Sequence, residues 1–104
     1  MKIEVLYVTD CPNHSAALER LREILSAEEF QEYVQEVMVR DGAMAQSLSF
    51  PGSPTIRVDG RDVEPQSEKS VVFGLMCRLY ADGGGVPSLR SLRTAIAKAR
   101  GLEG

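Results

Sequence analysis

From Lys2 to Val8 apolar and charged residues first alternate and then run together as Val5-Leu6-Tyr7-Val8. That is the pattern of a strand entering a sheet covered on both faces, and it predicts a first strand over Ile3–Val8, closed by Thr9-Asp10-Cys11. Pro12 suits the first turn of a helix, where a missing N–H costs nothing. Ala16, Ala17, Leu18, Leu21, Ile24 and Leu25 then recur at helical spacing, with Glu19, Arg20, Arg22 and Glu23 between them, so one helix is expected over Pro12–Ala27. Tyr33–Val39, carrying Val34, Val37 and Val39, reads as a second strand stopped by Asp41-Gly42. The strand-helix-strand order predicts a parallel pair joined by a right-handed crossover.

Ala43–Phe50 reads as a short helix ended by Pro51-Gly52, and Ser53-Pro54 leads into a third strand, Thr55–Val58, with Asp59-Gly60 as a hairpin turn. Residues 61–74 are polar and then mixed. Leu75–Tyr80 reads as a further strand, with a loop and turn as the alternative. Gly83-Gly84-Gly85 breaks the chain, and Pro87-Ser88 opens a last helix over Ser88–Arg100 on Leu89, Leu92, Ile96 and Ala99. This order fits a single α/β domain over residues 1–104: a four-stranded mixed sheet flanked by helices, its first strand parallel to the second and antiparallel to Thr55–Val58.

Composition narrows the function classes. The 104 residues are 43% apolar and 26% charged, ordinary values for a packed globular domain. The net charge is −3 and the lysines and arginines are scattered, so there is no basic stripe for nucleic acid. No run of about 18 apolar residues offers a membrane span, and Ile3–Val8 is too short for a signal-peptide core. A cytoplasmic location is the expectation. Two cysteines, Cys11 and Cys77, are too few for a disulfide framework, which leaves reactive, buried or metal-binding thiols.

Cys11, at the expected N-cap, is positioned to receive the backbone N–H groups of Asn13 or His14 at the positive end of a helix dipole, which favours the thiolate. His14, three residues on, falls on the same side of the first turn and as an imidazolium would favour it further, while Asp10 opposes it. The plainer reading makes Cys11 a small residue at a helix start and His14 a solvated first-turn side chain. Cys77, between Met76 and Arg78, reads either as a distant resolving thiol or as an inert core residue. Cys11, Cys77 and His14 are suitable soft-metal donors, but with no second Cys-x-x-Cys or His-rich run no metal site is expected. Met38, Met44 and Met76 read as core filling.

Strand, Cys-Pro, long helix, strand, Ser-Pro-Thr, strand and C-terminal helix together resemble the thioredoxin and glutaredoxin superfamily over nearly the whole chain. The resemblance implies a thioredoxin-like fold, Cys11 as nucleophile and a cis peptide at Pro54. It further implies a groove framed by Pro12, Ser53, Pro54 and Thr55, in which the N–H and C=O of Ser53 face an extended peptide or glutathione. His14 stands where that family has its resolving cysteine, so a dithiol cycle within the Cys-Pro-Asn-His turn is ruled out. The activity implied by the resemblance is that of a monothiol oxidoreductase-like protein acting on thiol or disulfide substrates, with glutathione as a co-substrate and no bound cofactor. The alternatives are a non-catalytic module holding a peptide or partner in the same groove, and mercury-type soft-metal binding by the thiols.

Overall fold

A computed structural model of the chain describes residues 1–65, 72–81 and 84–103, the side chains of 102 and 103 excepted. β1 (Ile3–Tyr7) is followed by α1 (His14–Ile24), α2 (Ala27–Tyr33), β2 (Val34–Met38), α3 (Gly42–Ser47), β3 (Thr55–Val58), β4 (Arg61–Asp62) and α4 (Leu89–Glu103). The strands form one sheet in the order β2-β1-β3-β4. β1 runs parallel to β2, with Ile3 opposite Val34, and antiparallel to β3, with Leu6 opposite Thr55. The expected mixed four-stranded sheet is therefore present.

Alternation along β1 divides the core. Ile3 and Val5 face α1 and α4 and are buried with Leu21, Leu25, Ile56, Leu92 and Ile96. Leu6 faces the other way and packs with Val39, Ala45 and Phe50 beneath α3. With two buried faces the strand needs the near-continuous apolar run that its sequence has. Arg57, on β3, reaches the carbonyls of Leu48 and Ser49 and so satisfies acceptors at the C-terminal end of α3.

Three expectations need correction. The single helix over Pro12–Ala27 is two helices: Leu25 turns to extended backbone, and Ser26 opens α2 with a capping box, its hydroxyl accepting the Glu29 N–H while the Glu29 carboxylate accepts the Ser26 N–H. A local cap of this kind outweighs continuation of the apolar stripe. α1 begins at His14 with Asn13 as its N-cap, so Cys11 is not the cap. Finally, the fourth strand is Arg61–Asp62, paired with Arg57 and Val58 across the Asp59-Gly60 turn, and not Leu75–Tyr80. The latter segment makes a single parallel bridge, Cys77 to Ser53. Its burial inverts its hydropathy: Arg78 and Tyr80 are buried while Leu79 is 77% exposed.

Candidate functional site

The Cys11 turn hangs from the C-terminal end of β1. Asp10 takes a positive φ of 59°, a conformation that a short polar side chain tolerates better than most, and this lets the Cys11 N–H return to the Val8 carbonyl at 3.3 Å. The His14 N–H then bonds the Cys11 carbonyl, also at 3.3 Å, and the Asn13 carbonyl accepts the Ala17 N–H as α1 gets under way. The N–H of His14 is thus engaged by the Cys11 backbone and not by its sulfur. Among the described residues none donates to Cys11 Sγ. The thiol is half-buried and free.

His14 turns its ring toward the sheet. It stacks on Tyr7 with ring centroids 3.7 Å apart and planes 10° from parallel, and its Nε2 lies 2.8 Å from Glu36 Oε1 on β2. The oxygen is out of line with the N–H direction, so Nε2 has no hydrogen-bond partner among the described residues and the contact is one of charge when the ring is protonated. The imidazole fixes the turn to β1 and β2. Pro12 is exposed.

Beside this turn lies Ser53-Pro54, joined by a cis peptide bond, as the resemblance implied. Ser53 is fully buried, and its Oγ accepts the Val8 N–H at 3.1 Å, so the end of β1 that carries the Cys11 turn is fastened directly to it. The backbone groups expected to face a ligand are already paired. The Ser53 N–H bonds the Met76 carbonyl at 2.7 Å, and the Ser53 carbonyl accepts the Arg78 N–H at 3.0 Å. Residues 76–78 therefore occupy the edge that was expected to be open, because a buried N–H and C=O must find partners and this segment supplies them.

What holds that segment down is Arg78, whose guanidinium is buried in a cage of acceptors. Nη1 and Nη2 grip both oxygens of Asp62 at 2.6 and 3.1 Å, Nη1 also donates to Thr55 Oγ1 at 3.2 Å, and Nη2 donates to the Glu64 carbonyl. Its flat face covers the Tyr80 ring at 4.3 Å, a favourable cation–π arrangement. The backbone of Arg78 lies so close to Gly52, at φ +140°, that a Cβ there would stand 3.0 Å from Arg78 Cβ. Tyr80 completes the closure by donating its hydroxyl to the Pro54 carbonyl. Burial pushes the Tyr80 hydroxyl well above the ordinary phenol range; Arg78 opposes the shift, and Asp62, Glu64 and Cys11 add to it.

The structure thus gathers Cys11, Ser53, Pro54 and Thr55 around one junction but buries the last three. Cys77, bridged to Ser53, is exposed, so it is neither part of an apolar strand nor a core residue. Arg78, Asp62 and Tyr80 escaped the sequence reading. Charge balance was the available signal, since an arginine within an apolar run requires a carboxylate partner if it is buried. Exposed apolar side chains accompany Cys77: Val72 at 66%, Leu75 at 48%, Met76 at 37% and Leu79. Among the described residues no three His, Cys, Asp or Glu side chains are grouped to hold a metal ion, and no helix is long and apolar enough to cross a membrane. Comparison with family models, with curated proteins and with solved structures returns no match.

Proposed function

We propose that this chain is a thioredoxin-like, cytoplasmic thiol oxidoreductase that uses Cys11 as a monothiol nucleophile. The observation that carries the reading is the fastening of the Cys11 turn to Ser53-Pro54 through the Val8 N–H, which sets a free, partly accessible thiol beside a rigid, buried corner. A sheet in which β1 is parallel to β2 and antiparallel to β3 adds support. In the step envisaged, the Cys11 thiolate attacks one sulfur of a disulfide, forming a mixed disulfide and releasing the other sulfur as a thiolate. A second thiol, glutathione being the natural class, then attacks the mixed disulfide and regenerates Cys11. His14 is a positioning residue in this scheme, holding the turn through Tyr7 and Glu36. Substrate does not pair with the Ser53 backbone unless residues 76–78 leave it.

The exposed Val72, Leu75, Met76 and Leu79 favour a second reading, a partner-binding module without turnover, since apolar side chains gathered on one short segment suit docking. Competitive alkylation followed by mass spectrometry separates the two. The oxidoreductase reading expects Cys11 to be modified faster than Cys77 although Cys77 is the more exposed. If Cys11 reacts no faster than cysteine in an unstructured peptide, turnover is excluded and the module remains.

A further inference from the structure

At the opposite end of β3 from the Cys11 turn, the β3-β4 hairpin and the middle of α4 frame an open pocket of about 370 Å³. It exists because α4 turns Ala95 and Ala99 toward Val58 and Val63, and two alanines leave unfilled the space that larger side chains would close. The floor is apolar. The rim carries Arg61, Lys98, Asp59 and Asp62, and the two carboxylates have other commitments: Asp62 is gripped by Arg78, and Asp59 Oδ1 accepts the Lys2 N–H at 2.7 Å. Among the described residues neither the Arg61 nor the Lys98 side chain has a hydrogen-bond or carboxylate partner. A mainly apolar pocket of several hundred cubic ångströms with a few convergent polar groups has the proportions of a small-molecule site.

We propose that this pocket binds a small amphipathic carboxylate, its apolar body against Val58, Val63, Ala95 and Ala99 and its anionic end between Arg61 and Lys98. The cations set the sign of the ligand by balance: Arg78 neutralises Asp62, which leaves Arg61 and Lys98 against the single charge of Asp59. The site shares no residue with the Cys11 turn and stands independently of the thiol reading.

The test is a titration of the intact, isotopically labelled protein with 2-naphthoate, followed by amide shifts, alongside 2-naphthol as a neutral analogue of similar shape. The expected result is saturable shifts centred on Val63, Ala95 and Ala99, and markedly weaker binding of 2-naphthol. Replacing both Arg61 and Lys98 by Gln is expected to weaken 2-naphthoate by about tenfold or more, as loss of charge-assisted contacts does, and these exposed positions leave the fold intact. Ala95→Leu is expected to abolish the shifts by filling the pocket. Equal binding of the two naphthalenes, or an unchanged affinity in the Arg61/Lys98 double variant, would overturn the anion assignment. Shifts confined to residues 72–80, or none at all, would overturn the site.

Discussion

Tyr80 joins two parts of the molecule through one hydroxyl, because its O–H is the donor that satisfies the buried Pro54 carbonyl. Tyr80→Phe leaves that acceptor unpaired and is expected to cost about 1–3 kcal/mol of stability in urea unfolding. The same residue sets an alkaline limit. Its folded-state hydroxyl is raised above the ordinary value of 10.0, chiefly by burial. Its contribution is therefore complete below that value and is lost as pH rises beyond it, when the unfolded phenol ionises and the folded one does not. Unfolding on either side of pH 10 is expected to show a decline in the wild type that is smaller in Tyr80→Phe. Arg78 makes the complementary case. Asp62→Asn removes the charge that both Nη atoms grip and leaves a buried guanidinium uncompensated, an effect of about 3–5 kcal/mol. The amide protons of Ser53 and Arg78, which pair the two segments, should then exchange faster in hydrogen exchange. None of this was legible from the residues singly: Leu75-Met76-Cys77-Arg78-Leu79-Tyr80 looked apolar with one charged interruption, and only the partners Asp62 and Thr55, distant in sequence, explain why the interruption is the buried part.

Among the elements, β1, β3 and α4 were readable because each carries its own pattern. A continuous apolar run marks β1, an apolar strand ahead of Asp59-Gly60 marks β3, and apolar residues three and four apart mark α4. The break between α1 and α2 shows what such patterns miss. The apolar stripe runs to Leu25, yet Ser26 and Glu29 make a reciprocal cap, and the Ser-x-x-Glu spacing was present in the sequence as its signal. Ser26→Ala is expected to cost about 1 kcal/mol, seen as a lower urea midpoint. The Glu29 carboxyl is held below its ordinary value of 4.5, first by the Ser26 backbone N–H and further by Arg100. Its support for α2 is thus full above that value and fades as pH falls through the carboxylate range. The penalty of Ser26→Ala should accordingly shrink in acid. Cys11 marks the boundary of what an element can tell: Cys-Pro before an amphipathic stretch signals a helix start, but Asn13 caps it, two residues later than expected.

For the whole molecule, the sheet order and the neighbourhood of the site follow from local signals that agree with one another, whereas the cover over Ser53 does not. β1 brings the Cys11 turn and β3 brings Ser53-Pro54 to the same end of the sheet, since Leu6 pairs with Thr55. That juxtaposition was accessible from strand order alone. Occupation of Ser53 by residues 76–78 arises from a contact about two dozen residues away in sequence, for which no periodicity gives a sign. Because that contact removes the open backbone edge, the proposed catalysis rests on Cys11 and not on the groove. Its most direct measurement is thiol transfer from a glutathionylated peptide to free glutathione, compared among wild type, Cys11→Ser and Cys77→Ser, with the site of any protein-bound glutathione located by mass spectrometry. The account predicts that Cys77→Ser keeps the wild-type rate with the adduct on Cys11, and that Cys11→Ser falls to the uncatalysed rate. Retention of activity by Cys11→Ser, or a functional adduct on Cys77 alone, would contradict it.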